Sequence, residues 1–195
     1  MVLYLSIIFI CMAIIVSMNS IFNLSAFNGS IWLCIGVVVG AVVIEIIIDL
    51  IFAGLIHAMK DKYFDSNKKF FIVSQKERKF YEKLHIKAWK DKVIELGALG
   101  GFRKNKIQDK DDIAYVNRFL IESNKGIVIH IADILFGFLI MLIPPFKWSL
   151  CVGLPVAIVN TFLSVLPIFI LRYNTPKLLV LKKRIERKSD FEIEN

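Results

Sequence analysis

The longest uncharged stretch of this 195-residue chain is its first 44 residues, and the first charged side chain is Glu45. About 20 consecutive apolar residues can cross a bilayer as a helix. Four apolar blocks meet or approach that length: 2–18, 31–59, 126–143 and 148–171. Such blocks, separated by charged segments, predict an all-α polytopic membrane protein with four transmembrane helices. They exclude an intrinsically disordered chain and disfavour a soluble globular domain.

The first block is apolar enough to be the core of a signal peptide. No basic residue precedes it, however, and no clear small-x-small cleavage site follows it. We therefore expect a retained membrane anchor and a single membrane domain over residues 1–195.

Positive charge is concentrated in two segments. Residues 60–125 carry 17 Lys and Arg and residues 172–195 carry seven, whereas 19–30 carries no charge and 144–147 carries one. Because basic loops stay on the inner side of a membrane, this asymmetry predicts that the segment 60–125, the tail 172–195 and both termini are cytoplasmic. We therefore expect a multi-pass protein of the cell membrane.

The net charge of +8 also bears on the partners of the chain. A soluble basic domain of this kind would suggest nucleic acid. Here the basic segments follow apolar blocks, so anionic lipid headgroups are the expected partner and nucleic acid is not.

The segment 60–125 is predicted to be helical. Ser74, with Glu77 three residues later, is a capping box that opens a helix expected to run to Leu96. A second helix is expected from near Asp109 and can continue into the third transmembrane block.

Three aromatic side chains mark one face of the first of these helices. Tyr81, His85 and Trp89 are spaced four residues apart, which places them close to one helical face. A Lys-rich helix with an aromatic stripe is typical of a helix that lies on a membrane surface. His85 is either catalytic or an interfacial residue, and Trp89 alone is typical of an interface anchor.

Ionisable residues inside apolar spans are costly and are functional candidates by default. Five lie in or near the spans: Glu45, Asp49, His57, His130 and Asp133. A rise of about 1.5 Å per residue places them toward the basic side of the membrane. That depth favours an enzyme joining a membrane lipid to a second substrate over a transporter, whose site would lie near the midplane.

Each of these residues also has a structural interpretation. Glu45 and Asp49 can bind a cation or exchange protons, or they can simply pair with Arg or Lys. His130 and Asp133, three residues apart, can be a general base and its orienting carboxylate, or a packed hydrogen-bonded histidine. The three cysteines lie in apolar runs and are expected to be buried hydrophobes.

Several catalytic signatures are absent from the sequence. It has no G-x-S-x-G elbow, no H-E-x-x-H, no Cys/His cluster and no histidine followed five residues later by aspartate. We therefore expect no metal and no cofactor. A histidine base acting on a hydroxyl, with Lys, Arg or Asn stabilising an oxyanion, is the simplest remaining chemistry.

Four segments together resemble the glycosyl-4,4'-diaponeurosporenoate acyltransferases, which complete staphyloxanthin-type carotenoids. They are Asp-Lys-Tyr-Phe at 61–64, His-Ile-Lys-Ala-Trp-Lys-Asp at 85–91, the run 121–130 ending in His130, and Arg-Tyr-Asn-Thr-Pro-Lys-Leu at 172–178. The family usually has Arg and Glu where this chain has Lys125 and Ile127. The resemblance implies acyl transfer to a sugar hydroxyl of a glycolipid.

The residues of the matching segments and spans then receive expected roles. His130 is the first choice as general base, oriented by Asp133 or Glu122, with His85 as a further catalytic candidate. The expected substrate-binding residues are Trp89, Lys90, Asp91, Lys125, Asn160, Arg172 and Asn174. The first three would shape the donor side, and the last three would bind carbonyl or phosphate oxygens.

The sequence thus favours a membrane-bound O-acyltransferase that takes a fatty acyl donor and a glycolipid acceptor, such as a carotenoid glycoside. A non-enzymatic membrane subunit whose basic surface docks on anionic lipid is the first alternative. A small cation-coupled transporter that uses Glu45 and Asp49 is the second.

Overall fold

The computed structural model describes residues 2–90, 93 and 111–193, with side chains described over 5–90, 93 and 111–188. Within these ranges the chain is helical and contains no strand, which confirms the all-α prediction. The α-helices of the described ranges are α1 Val2–Phe22, α2 Ile31–Ala58, α3 Gln75–Lys83, α4 Ile86–Trp89, α5 Ile113–Gly137, α6 Phe146–Trp148 and α7 Leu154–Ile193.

Four helical stretches of the described ranges are long and apolar enough to cross a membrane. They are Leu5–Phe22, Ile31–Ala58, Ile113–Leu142 and Phe146–Lys188. Many of their large apolar side chains are exposed in the isolated chain, for example Ile47, Leu50 and Phe162. Lipid would remove these side chains from water, and the chain is a multi-pass membrane protein as predicted.

Two features of the long helices were expected and one was not. α5 begins at Ile113 and continues without a break into the third span, as predicted, although the expected start near Asp109 lies outside the described residues. The third span ends in a 3₁₀ turn, Phe138–Leu142, before Pro144 and Pro145. α7 does not stop at residue 171 but continues through the basic tail to Ile193.

The chain divides into two compact units, each built from two segments. The first unit comprises Met1–Leu55 and Ile129–Val165, and the second comprises Ile56–Val128 and Leu166–Asn195.

The first unit has an apolar core to which α1, α2 and the start of α7 contribute. Cys34 and Val38 of α2 are fully buried there with Phe27, which follows α1. The Trp148 ring lies parallel to that of Phe27 at 6.1 Å, and its indole nitrogen donates to the Ala26 carbonyl at 3.0 Å. These contacts tie the turn after α1 to the start of the last span.

The second unit packs α5 against the C-terminal half of α7. Val116 and Leu120 of α5 and Leu178 of α7 are buried in one cluster. A second cluster joins Tyr81 of α3, Ile86 of α4 and Ile170 of α7. The capping box of α3 is confirmed, since the Ser74 hydroxyl accepts from the Glu77 amide at 3.2 Å.

The prediction of one unbroken helix from Ser74 to Leu96 is wrong. α3 ends at Lys83, and His85 takes a left-handed conformation with φ 51° and ψ 38° before α4 starts. The Leu84 carbonyl accepts from the Trp89 indole at 3.0 Å. Leu96 itself lies outside the described residues.

The break has a packing cause. Tyr81 and Ile86 are five residues apart, which at about 100° per residue would place them on different faces of one helix. Both are buried in the same cluster with Ile170 of α7. Turning the chain at His85 allows both side chains to leave water, and the expected aromatic stripe is therefore divided between two helices.

Candidate functional site

Residues 61–64 and residues 124–125 of the family-like segment 121–130 meet in the second unit. Lys125 is 6% exposed, and its ammonium lies 2.7 Å from the Asp61 carboxylate and 5.6 Å from the Phe64 ring centroid. The fully buried Asn124 amide donates to the Phe64 carbonyl at 2.8 Å and to the Ser66 hydroxyl at 3.0 Å. A buried lysine needs such an ion pair, so the structure gives Lys125 an internal partner where the sequence suggested substrate.

Glu122 lies next to a histidine other than the expected one. Its carboxylate is 3.9 Å from Nδ1 of His57, which follows Ile56 at the start of the second unit. Of the two carboxylates proposed to orient His130, the one in contact with it is Asp133.

Arg172 of the segment 172–178 binds residues 70–77 in the second unit. Arg172 pairs with the Glu77 carboxylate through both Nε and Nη2. It also donates to the Phe70 carbonyl at 3.0 Å and to the Ile72 carbonyl at 3.4 Å. Four of its five N–H donors are thereby used. Arg172 therefore links α7 to α3 and to the residues that precede α3.

Glu77 also connects Arg172 to an aromatic residue, Tyr81. It accepts from the Tyr81 hydroxyl at 2.6 Å. The hydrogen bond from Arg172 holds the pKa of Glu77 below its usual range. Burial, and then the Glu77 carboxylate, raise the pKa of the Tyr81 phenol, which keeps Tyr81 a proton donor in this chain of hydrogen bonds.

A cleft of about 500 Å³ opens beside Tyr81, between α3, α4 and α7. Its lining residues are Tyr81, Glu82, His85, Ile86, Lys87, Ala88 and Tyr173. Trp89 packs with the cluster behind the cleft and is half-buried. The cleft therefore gathers residues from two of the family-like segments.

His130 and Asp133 form a side-chain pair in the first unit. His130 Nδ1 lies 3.2 Å from Asp133 Oδ2, and the two side chains are 26% and 7% exposed. The i, i+3 spacing on α5 brings them together, as the sequence predicted. In the tautomer that donates from Nδ1, the ring keeps Nε2 free to accept a proton.

Asn160 of α7 lies at the centre of the polar groups of the first unit. Its amide nitrogen is 2.7 Å from Glu45 Oε1, 3.2 Å from Asp49 Oδ1 and 3.3 Å from the Asp133 carbonyl. Gly137 of α5 makes room for this contact, since a Cβ there would clash with Glu45 Oε1 and lie 2.8 Å from the Asn160 nitrogen. Asn160, expected to bind substrate oxygens, thus binds carboxylates within the chain.

Further acceptors surround this centre. Glu45 Oε2 and Asp133 Oδ1 are buried and have no hydrogen-bond partner within the described residues. A small cavity of about 50 Å³ adjoins Glu45, Asp49 and Asn160, with apolar walls from α1, α2 and α7. In the same part of the chain, no group of three His, Cys, Asp or Glu side chains is arranged to hold a metal ion.

Three further residues were predicted to bind substrate: Asn174, Lys90 and Asp91. Asn174 is half-buried on α7, next to the fully buried Thr175. Lys90 is half-buried and follows α4 as its C-cap. Asp91 lies outside the described residues.

Sequence reasoning did not identify the partners Glu77, Asp61 and His57. Glu77 was recognised only as a capping residue, because Arg172 is 95 residues away along the chain and sequence spacing cannot pair the two. One signal in the sequence bears on the Asp61–Lys125 contact. Both residues belong to segments that resemble the family, but this does not show that they form an ion pair.

Comparison with known families decides the reaction class. The family model for glycosyl-4,4'-diaponeurosporenoate acyltransferase matches residues 60–184, well over half of the chain.

The chain belongs to the glycosyl-4,4'-diaponeurosporenoate acyltransferase family.

As a member of this acyltransferase family the chain is an enzyme, and the recognition made from four short segments is confirmed. The match includes His130, Asp133, Asn160 and Arg172, whereas Glu45 and Asp49 precede it. A search of curated proteins and a search of solved structures each found no match.

Proposed function

We propose that this acyltransferase moves a fatty acyl group onto a sugar hydroxyl of a membrane glycolipid, with a carotenoid glycoside as one such acceptor. Membership of the acyltransferase family supports the reaction class. The observation that carries the mechanism is the His130–Asp133 pair, which lies within the matched region and leaves His130 partly exposed.

In this mechanism His130 is the general base. Its Nε2 takes the proton of the sugar hydroxyl while the hydroxyl oxygen attacks the carbonyl carbon of the fatty acyl donor. The bond from that carbon to the leaving group then breaks, and the leaving group accepts the proton from His130. Asp133 orients the ring and stabilises the imidazolium that forms between the two steps.

The other candidates receive roles that follow from their contacts. Trp89, Lys90 and Asp91 remain proposed to shape the donor side, and Asn174 to bind a carbonyl or phosphate oxygen. Arg172 and Lys125 are internally paired, so we assign them to positioning the family-like segments. His85 is assigned to substrate binding on the basis of the cleft beside it.

The proposed setting is the inner face of the cell membrane. The excess of Lys and Arg in 60–125 and 172–195 supports cytoplasmic placement of both segments. Anionic lipid headgroups would neutralise these lysines, each worth about 1 kcal/mol near a charged surface.

The test is an acyl-transfer assay on the purified full chain in lipid nanodiscs. Supplied with a fatty acyl thioester and membrane glycolipids, the protein should form an ester product that mass spectrometry detects. His130→Ala should lower the rate 10²-fold or more, the contribution typical of general base catalysis. Asp133→Asn should lower it less, because the ring remains in place but its orientation is weakened.

His57→Ala is the matched control. His57 is a histidine paired with a carboxylate, as His130 is, but it precedes the matched region. The assignment is wrong if His130→Ala keeps full activity, or if His57→Ala and His130→Ala lower the rate equally.

A further inference from the structure

Three large apolar side chains of the second unit, Phe70, Ile72 and Phe80, stay at its surface. They are 54%, 54% and 49% exposed, although their chain neighbours Phe71 and Tyr81 are buried. We call these three residues the apolar patch. A single exposed apolar side chain is ordinary, but several gathered in one place and surrounded by polar residues mark an interaction surface.

Contacts with α7 hold the apolar patch at one level of that helix. Arg172 of α7 donates to the carbonyls of Phe70 and Ile72 at 3.0 and 3.4 Å. The Phe80 ring meets the Phe169 ring edge to face, with the two centroids 5.8 Å apart. Phe169 and Arg172 are three residues apart on α7, which is a rise of about 4.5 Å. The three side chains are therefore gathered around a single turn of α7.

That turn lies where the last span changes from apolar to basic. Residues 148–171 carry no charge, whereas Arg172 is the first of seven basic residues in 172–195. The polar region of a bilayer extends about 5–8 Å beyond the hydrocarbon on each side. Side chains held at Arg172 would therefore lie among lipid headgroups and not in bulk water.

We propose that residues 68–84 form an interfacial element, which inserts Phe70, Ile72 and Phe80 among the acyl chains of an anionic leaflet while the lysines around them bind its headgroups. The inference rests on the proposed setting at the inner face of the cell membrane. It identifies the part of the segment 60–125 that makes the lipid contact.

The charge around the apolar patch complements an anionic lipid surface. Residues 68–84 contain six Lys and Arg and two Glu. On α3, the exposed Lys76 and Lys83 lie four residues before and three residues after Phe80, on the same helical face. Lysine stems lie along apolar surface while their ammonium groups reach the headgroups. An apolar protein surface would leave these charges uncompensated, so an anionic lipid is the favoured partner.

The packing of α3 selects a different lipid-facing side from the one that helical spacing predicts. The sequence favours a stripe formed by Tyr81, His85 and Trp89. Tyr81 is instead buried in one cluster with Ile170 of α7. Phe80, one residue earlier, is rotated from Tyr81 by about 100° around the helix, and it takes the exposed position.

The proposal is tested by photocrosslinking of the full chain in nanodiscs that contain phosphatidylcholine and phosphatidylglycerol. The photoreactive analogue p-benzoylphenylalanine replaces Phe70 or Phe80 in separate proteins. Because the analogue extends the original ring only at the para carbon, it disturbs a half-exposed site little. Illumination should attach lipid to the protein at both positions, and mass spectrometry of the intact protein detects the product.

Phe162 and Val180 of α7 are the matched controls, since both are well exposed. Phe162 lies in the uncharged part of the span, and the analogue placed there should attach lipid. Val180 is eight residues beyond Arg172, about 12 Å further along the helix, and should attach none. Lipid attachment at Phe162 but at neither Phe70 nor Phe80 overturns the proposal. Equal attachment at Val180 and Phe80, or attachment of a second copy of the chain in place of lipid, also overturns it.

The headgroup of the attached lipid tests the role of the lysines. With the two lipids in equal amounts, the analogue at Phe80 should attach about fivefold more phosphatidylglycerol, the ratio that corresponds to one lysine near an anionic surface. Lys76→Gln combined with Lys83→Gln should bring the ratio close to one. Lys183→Gln combined with Arg184→Gln removes the same charge from exposed positions further along α7 and should leave the ratio unchanged. Equal attachment of both lipids before any lysine is replaced overturns the proposal.

Lipid attachment does not depend on catalysis, so the failure of this proposal and the failure of the proposed function are distinguishable. His130→Ala should attach lipid at Phe80 as the active protein does. A protein that attaches lipid at Phe80 but transfers no acyl group overturns the proposed function alone. A protein that transfers acyl groups but attaches no lipid at Phe70 or Phe80 overturns the interfacial element alone.

Discussion

At the scale of single residues, Asn160 and Gly137 determine how charged groups are accommodated inside the first unit. The Asn160 amide has two N–H groups, and three acceptors from α2 and α5 lie within 3.3 Å of its nitrogen. Burying carboxylates without such donors is costly. Gly137 permits the contact because it has no Cβ to collide with Glu45.

Gly137→Ala should therefore destabilise the protein. The added methyl group would displace Glu45 and Asn160, and overpacking of this kind costs about 1–3 kcal/mol. Thermal unfolding in detergent, followed by circular dichroism, measures the effect.

Gly54→Ala provides the control for that prediction. Gly54 lies in α2, and a Cβ there meets no atom within 4 Å. Alanine should be neutral or stabilising by up to about 1 kcal/mol, through helix propensity alone. Equal destabilisation by both substitutions would show that Gly137 has no special packing role.

At the scale of elements, the break between α3 and α4 shows tertiary packing overriding helix propensity. Residues 74–89 contain no glycine or proline, and the usual signals for ending a helix are missing. The turn nevertheless forms at His85 because Tyr81 and Ile86 can both be buried only if the helix is interrupted.

The left-handed backbone at His85 makes a direct prediction about substitutions. His85→Gly should be more stable than His85→Ala by about 1 kcal/mol, because only glycine adopts positive φ without steric cost. If the helix were continuous, alanine would instead be the more stable by about 1 kcal/mol. Comparing the unfolding temperatures of the two variants distinguishes these cases by sign.

The Glu77–Arg172 pair connects α3 to α7 and should make stability depend on pH. Because Arg172 lowers the pKa of Glu77 in the folded state, the pair stabilises the fold fully above the ordinary glutamate pKa of about 4.3. This contribution is lost as the pH falls through the lowered value. Unfolding temperatures measured from pH 7 to pH 3 should drop accordingly.

Glu77→Gln should remove that part of the pH dependence and lower stability at pH 7. Glu82→Gln is the control, since Glu82 lies on the same helix, is exposed and is not paired with Arg172. The interpretation fails if Glu77→Gln retains the acid transition of the unmodified protein.

At the scale of the whole molecule, the segregation of charge predicts orientation in the membrane. Green fluorescent protein fused after Asn195 should fluoresce, because that reporter folds only on the cytoplasmic side in bacteria. Alkaline phosphatase inserted in 19–30 should be active, because it requires the opposite side. The reverse pattern of the two reporters would refute the positive-inside assignment made from 60–125 and 172–195.

Much of the architecture could be predicted from local sequence. Span number, helical class and the continuation of α5 into the membrane all follow from uncharged runs and hydrophobic periodicity. The His130–Asp133 contact was predicted from helical spacing, since residues three apart are neighbours on one face of a helix. The family was recognised from short segments and confirmed by the match over 60–184.

The sequence by itself determined which residues had to leave water and which helical turns would bring neighbours together. Only the tertiary structure decided which polar groups, distant in sequence, form hydrogen bonds with one another. Asn160 contacts Glu45 across 115 residues, and Arg172 contacts Glu77 across 95. Burial makes such partners necessary, but helical periodicity carries no information about partners on other helices, so the choice depends on how the helices pack.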